Sequence, residues 1–99
     1  MTGFEVTHLQ ATLIASFSAN TNGVGQDVSD FKYGSVQVVG TFNANIQLQG
    51  SNDGTNWVSF GAAITTAGFT ELDLYYAHIR VNVNTYVGGT AAVYLTAKP

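Results

Sequence analysis

The sequence contains no cysteine, which excludes a disulfide framework, a thiol nucleophile and a thiolate metal site. A single proline and a hydrophobic fraction of 45% exclude collagen-like and disordered chains. Charge is also scarce, because charged residues make up 9% of the chain against about 25% in an ordinary domain. With three basic residues and a net charge of −3, we expect neither nucleic acid nor an anionic membrane as a partner.

Long apolar runs are missing as well. No run approaches the roughly 20 residues that a membrane-spanning helix requires. The N-terminus has no basic segment followed by an apolar core, so we expect that the chain has no secretory signal. We also expect that it is made in the cytoplasm. Asn, Gln, Ser and Thr instead supply 31 of the 99 residues, and glycine supplies 11. The surface is therefore made largely of neutral hydrogen-bonding groups, which suit close contact with another protein.

Alternation of apolar and polar residues is the dominant pattern, and it predicts β-strands. It appears over Leu9–Phe17 and most clearly over Asn43–Gly50. Turn residues separate such runs every 8–12 residues or so, which is typical of an antiparallel sandwich or small barrel. We therefore predict an all-β, jelly-roll-like antiparallel β-sandwich that occupies residues 1–99 as a single domain, with residues 1–8 forming an N-terminal arm.

Particular turns and core positions follow from the same pattern. The Asn-Asp-Gly step within Ser51–Asn56 predicts a hairpin that pairs Ile46–Gly50 with Trp57–Phe60. Gly88-Gly89 predicts a chain reversal, and Gly61–Gly68 a loop. A change of phase predicts a bulge or strand break between Tyr75 and Ile79. The predicted core consists of the apolar phase of each strand: Leu13, Ala15, Ile46, Leu48, Ile79, Val81, Val83, Val93 and Leu95.

No group of residues in the sequence indicates catalysis or metal binding. Asp53 lacks the series of oxygen ligands and the closing Glu of a calcium loop, so it indicates a hairpin turn. Glu71 and Asp73 share one face of a strand, where two adjacent carboxylates cannot oppose each other across a substrate. Arg80 is expected to pair with one of them. We predict that the protein is not an enzyme and binds no cofactor and no metal.

The aromatic residues are candidates for packing and for contact with a partner. Trp57 follows a tight turn and is expected to pack one end of the sandwich. Tyr75 and Tyr76 are adjacent on a strand, so their side chains point to opposite sides and one of them is expected to be exposed. Exposed tyrosines are enriched at protein interfaces and also stack on sugar rings.

Two segments, Ala44–Trp57 and Ala77–Val83, carry a resemblance to known proteins. The strand–SNDGTNW–strand hairpin and the AHIRVNV strand resemble those of discoidin-like, galactose-binding-like jelly rolls. They also resemble small β-sandwich proteins of tailed-bacteriophage virions. The latter resemblance implies a capsid decoration (cement) protein that binds the outer capsid lattice and stabilises the head, often as a trimer. The alternatives are a carbohydrate-binding module and a phage tail or fibre component.

This interpretation predicts a location on the capsid surface of a virion. The partners would be the lattice of the major capsid protein and further copies of the chain, in a homotrimer. We expect the lattice contacts outside the regular strands, in the arm Met1–His8 and the loop Ser18–Asp27, which are poor in charge. The predicted contact residues are Phe4, Val6, His8, Asn20, Asn22, Val24 and Tyr75.

Overall fold

The computed structural model describes residues 8–99. These residues form seven β-strands that are all paired antiparallel. The alternation identified in the sequence accounts for the longest of them, since one side chain in two is apolar along most of their length. The strands are β1 (Leu9–Ile14), β2 (Thr21–Asn22), β3 (Gln26–Asp27), β4 (Tyr33–Ser51), β5 (Val58–Ile64), β6 (Gly68–Asp73) and β7 (His78–Lys98).

Two long strands, β4 and β7, organise the fold. They pair from Tyr33 opposite Lys98 to Ser51 opposite His78. The first part of β4 also pairs with β6 and its last part with β5, while β1 pairs with the end of β7 and β2 and β3 with its beginning. We call sheet A the section formed by β1, the end of β7, the first part of β4 and β6. Sheet B is the section formed by β2 and β3, the beginning of β7, the last part of β4 and β5.

Both long strands must bend, because the first and last residues of β4 lie close together and β7 pairs with β4 along its length. Asp73 pairs with Tyr33 at one end of β4, and His78 pairs with Ser51 at the other end. The chain from Asp73 to His78 can span at most about 18 Å, whereas a straight strand of 19 residues would be about 60 Å long. Sheets A and B therefore face each other as two layers. The predicted all-β antiparallel sandwich is confirmed, with layers that are continuous through two shared strands.

The bend in each long strand coincides with unusual backbone conformations. Gly40 in β4 has φ 136°, and in β7 Thr85 has φ 54° and Gly89 φ 81°. The pairing also shifts register here, because the segment between Asn43 and Asn45 lies opposite the longer segment from Asn84 to Gly88. The predicted chain reversal at Gly88-Gly89 is therefore wrong. Glycine tolerates positive φ in a bulge as well as in a turn, and β7 uses it to pass from one sheet to the other.

One hydrophobic core fills the space between the layers. Val36 and Val38 come from the part of β4 in sheet A, and Ile46 and Leu48 from its part in sheet B. Every predicted core residue is buried except Ala15, which is exposed. The prediction for Ala15 is wrong because β1 ends at Ile14, after a register shift between Thr12 and Ile14 has broken the alternation.

The predicted hairpin is confirmed, since Leu48, Gln49 and Gly50 pair with Phe60, Ser59 and Val58. The predicted break between Tyr75 and Ile79 is also confirmed, because β6 ends at Asp73 and β7 begins at His78. The loop predicted for Gly61–Gly68 is shorter than expected. Strand β5 continues to Ile64 through a second bulge at Gly61, where φ is 73°.

Candidate protein-binding face

The outward side of sheet A brings together residues from three strands. Directly paired residues of an antiparallel sheet point to the same side, so the register defines three rows across β7, β4 and β6. Tyr33, Ser35 and Gln37 of β4 lie at the centres of these rows. We call the nine residues the outer face of sheet A. Its rows are Lys98–Tyr33–Asp73, Thr96–Ser35–Glu71 and Tyr94–Gln37–Phe69.

Three aromatic rings of this face are open to solvent. Phe69 is 72% exposed, Tyr33 57% and Tyr94 42%. A shallow groove lies along the first two rows, and its lining includes Tyr33 and the small side chains Ser35 and Thr96. Exposed apolar residues scattered singly are ordinary, but several on one side of a sheet form a surface suited to binding another protein.

The outer face of sheet B is built differently, from side chains that bind one another. The Asn82 amide nitrogen donates to Asn22 Oδ1 at 2.7 Å, and the Asn84 amide nitrogen donates to Asn82 Oδ1 at 2.8 Å. We call these three residues the amide ladder. Asn82 and Asn84 are half-buried, so much of their hydrogen-bonding capacity is used within the protein.

Arg80 lies on the same outer face of sheet B. Its Nε donates to Gln49 Oε1 at 2.7 Å, and its Cζ lies 4.5 Å from the centroid of the Trp57 ring. The predicted pairing of Arg80 with Asp73 or Glu71 is therefore wrong, because those carboxylates belong to the outer face of the opposite sheet. Trp57 is half-buried on the outer side of sheet B, so its ring stacks with a guanidinium group.

The hairpin turn between β4 and β5 is held by one carboxylate. Asp53 Oδ1 accepts the backbone N–H groups of Asn56 and Thr55, each at 2.8 Å, and Oδ2 accepts the Asn56 side-chain amide at 2.7 Å. These hydrogen bonds lower the pKa of the Asp53 carboxyl well below its usual range. Asp53 therefore acts as the anchor of the turn.

Two further properties concern residues 8–99 as a whole. These residues contain no cluster of three or more His, Asp or Glu side chains that could hold a metal ion. Among the same residues there is no helix long and apolar enough to cross a membrane.

The contact residues predicted from the sequence lie at separate places. Phe4 and Val6 fall outside the described residues, and His8 is exposed immediately before β1. Asn20 and Asn22 both contact β7: Asn20 Oδ1 accepts the Tyr86 backbone N–H at 2.9 Å, and Asn22 belongs to the amide ladder. These two side chains support the fold, and their contact with a partner stays a prediction.

Val24 and Tyr75 are the most exposed of the predicted contact residues. Val24 is 66% exposed between β2 and β3, and its backbone N–H donates to Leu13 O at 2.8 Å. Tyr75 is 79% exposed beyond the end of β6, as expected for one member of the Tyr75–Tyr76 pair. Its hydroxyl donates to Asp73 Oδ2 at 3.3 Å, and the charge of Asp73 raises the pKa of Tyr75.

Tyr33, Phe69 and Tyr94 were not among the residues predicted from the sequence. Each lies next to residues whose burial the alternation predicts, so its own side chain points outward. This outward position was the signal in the sequence that could have identified these residues as exposed. Their meeting on one face depends on the pairing of β4 with both β6 and β7. The alternation within single strands does not contain that information.

Comparison with known proteins supports the fold. No family model and no curated protein matches the chain. Among solved structures, the crystal structure of the SPBc2 prophage-derived protein YomS superposes with a TM-score of 0.80 at 10% identity, covering 99% of each chain. A disulfide-linked pilus protein of Bacillus endospore appendages gives a TM-score of 0.48 at 9% identity, over 99% of this chain and 94% of its own. The chain therefore shares its β-sandwich fold with the prophage-derived protein.

Proposed function

We propose that this protein is a structural virion protein of a tailed bacteriophage and that it acts by binding other proteins. The observation that supports this most directly is the outer face of sheet A, where Tyr33, Phe69 and Tyr94 are exposed on the same side of the sheet. Aromatic side chains are enriched at protein interfaces relative to the rest of a protein surface. The fold shared with a prophage-derived protein is consistent with a phage origin.

Within this class we propose the role of a capsid decoration protein. The exposed Val24, between β2 and β3, offers an apolar contact on the segment 18–27 that the sequence favours for binding the capsid lattice. Many copies bound to a regular lattice need only weak single contacts, because each attached copy raises the effective concentration of the next contact. The homotrimer stays a prediction from the sequence, and sedimentation of the full chain distinguishes it from other oligomers.

Fractionation of phage particles tests the role. Particles of the phage that encodes the chain would be separated into heads and tails, and each fraction analysed by mass spectrometry. We expect the chain in the head fraction, in many copies per head. Its presence in tails alone would contradict decoration and favour a tail or fibre component. Its absence from both fractions would overturn the structural role.

Binding of purified protein to heads that lack it then tests the contact segment. We expect Val24→Asp to weaken binding at least tenfold, because it places a charge in an apolar contact. The matched control is Val58→Asp, a change of the same kind at a side chain that is 71% exposed on β5. Equal binding by wild type and Val24→Asp would contradict the assignment of this segment.

Carbohydrate binding is the principal alternative that the same material can test. The chain has one tryptophan, and the Arg80 guanidinium covers its ring, so stacking on a sugar would fall to exposed tyrosines such as Tyr33 and Tyr75. Binding to a glycan array that Tyr33→Ala abolishes, together with absence from phage heads, would replace decoration by carbohydrate binding.

A further inference from the structure

The outer face of sheet A carries its charges and its rings in matching positions on either side of β4. In the first row, Lys98 and Asp73 each pair with Tyr33, so they lie about 5 Å to its two sides. In the third row, Tyr94 and Phe69 flank Gln37 in the same way. A base therefore mirrors an acid across β4, and one ring mirrors another.

This arrangement is complementary to itself under one rotation. A two-fold axis that lies in the plane of the contact and runs along β4 exchanges the two sides of the strand between the copies. Lys98 of each copy then lies over Asp73 of the other, and Phe69 of each copy lies over Tyr94 of the other. In the second row, Glu71 of each copy lies over the Thr96 hydroxyl of the other. A two-fold axis across the strands would instead place Asp73 over Phe69 and Lys98 over Tyr94, which leaves both charges of the first row without an opposite charge.

We propose that the outer face of sheet A binds a second copy of this chain in a two-fold symmetric dimer. The contact contains two Lys98–Asp73 ion pairs and two Phe69–Tyr94 ring pairs. Tyr33 lies on the axis, and the groove lined by Ser35 and Thr96 gives its ring room to lean along the strand. Two-fold dimers with self-complementary faces are the commonest oligomers of soluble proteins.

The size of the face sets the strength of the contact. Four strands by six residues cover about 19 × 20 Å, or about 400 Å² per copy, which is below the roughly 800 Å² per partner of a standard interface and is the size of a weak, transient contact. We therefore expect dissociation in the micromolar range, with a monomer at low concentration and a dimer at high concentration. The inference does not require the virion role, so each can fail independently of the other.

Reversing the charges of Lys98 and Asp73, one at a time and together, tests both which surface forms the dimer and whether its axis runs along β4. Sedimentation velocity of the full chain from about 1 to 200 µM is the measurement. We expect Lys98→Glu and Asp73→Lys each to abolish the dimer, because like charges then face each other twice. Mixing the two variants should restore a dimer, since the introduced acid of one chain then meets the introduced base of the other, and the two unchanged charges also meet. The double variant Lys98→Glu/Asp73→Lys should dimerise by itself.

Control variants separate this contact from general effects of charge and apolarity. Asp30→Lys changes the charge by the same amount as Asp73→Lys, at an exposed position in the turn before β4, and should leave the dimer intact. Phe69→Thr should raise the dissociation constant at least tenfold, whereas Val87→Ser, at a side chain that is 69% exposed near the bend of β7, should not change it.

Several results would overturn the inference. A monomer throughout the concentration range would do so, and so would a trimer, which would instead support the oligomer predicted from the sequence. A dimer that Lys98→Glu leaves intact would show that another surface is used. Single variants that are monomeric and stay monomeric when mixed would exclude the proposed axis. Circular dichroism of each variant confirms that it is folded before these results are compared.

Discussion

The two outer faces of the sandwich use the same pair of long strands in different ways. On sheet B, outward side chains bind each other, as in the amide ladder and in the contact of Arg80 with Gln49. On sheet A, Phe69 and Tyr33 are more than half exposed. Polar groups that are satisfied internally have little to gain from a partner, whereas exposed rings gain by leaving water. The comparison indicates that the polar side chains on the outer face of sheet B are mostly satisfied within the chain, whereas the outer face of sheet A is available for binding.

The bend of β4 is expected to give the largest effect, because both faces depend on it. A side-chain carbon added at Gly40 would lie 2.5 Å from Thr90 O and 2.7 Å from Ala91 Cα, and φ is 136°. Gly40→Ala should therefore lower the free energy of unfolding by about 2–5 kcal/mol, from backbone strain and overpacking together. Urea denaturation followed by circular dichroism measures the loss.

Gly68→Ala is the matched control for this prediction. Gly68 has φ 144°, close to that of Gly40, but nothing lies within 4 Å of an added carbon. Backbone strain is then common to both variants, and the collision with β7 is present only at Gly40. Equal losses of stability would show that β4 and β7 do not approach closely at the bend.

The amide ladder should give the next largest effect and sharpen the contrast between the faces. Asn82→Ala removes two hydrogen bonds at a half-buried position and should cost about 1–3 kcal/mol of unfolding free energy. Gln37→Ala removes an amide from the equivalent central region of sheet A and should cost about 0.5 kcal/mol or less. Thermal unfolding at low protein concentration checks both values. Equal costs would remove the distinction between a face that is mostly satisfied within the chain and one that is available for binding.

These contrasts also separate what the sequence could reveal from what it could not. Alternation within single strands was enough to predict the sandwich, the hairpin and most of the core, because burial of one side chain in two is a local property. The bends were not predictable in this way. Gly88-Gly89 favours positive φ in a turn and in a bulge alike, and pairing with β4 decides between them.

The candidate face depends on information of the same kind. Phe69 and Tyr94 lie on strands that are both neighbours of β4, and only the register places them in one row with Gln37. The pairing predicted for Arg80 was wrong for the same reason. The segment between β6 and β7 crosses from sheet A to sheet B, so Asp73, although close to Arg80 in sequence, lies on the other side of the molecule.

Acid should weaken the β4–β5 turn of sheet B through Asp53. Its folded-state pKa is lowered from the ordinary value of 3.8, so its charge stabilises the protein above that value. As the pH falls below about 4, the unfolded chain takes up the proton first and this stabilisation is progressively lost. Asp53→Asn should therefore melt below wild type at pH 7, with a difference that shrinks towards pH 2.

Glu71→Gln is the control for the pH series, since it removes an exposed carboxylate from sheet A without touching the turn. A melting difference between wild type and Asp53→Asn that stays constant from pH 7 to pH 2 would contradict the role of the charged carboxylate.

The smallest expected change in stability is at Phe69 of the proposed interface. Phe69→Thr keeps a residue that favours strands and removes a ring that is 72% exposed, so at low concentration the unfolding free energy should change by about 0.5 kcal/mol or less. Phe42→Thr is the contrast, because its half-buried ring packs edge-on against Phe17 at 5.9 Å and its loss should cost several times more.

The dependence of the melting temperature on protein concentration then distinguishes a role of Phe69 in binding a second copy from a role in the fold of the single chain. If Phe69 binds a second copy, the melting temperature of wild type rises with protein concentration and that of Phe69→Thr does not. A large loss of stability in Phe69→Thr at low concentration would instead assign the ring to the fold of the single chain.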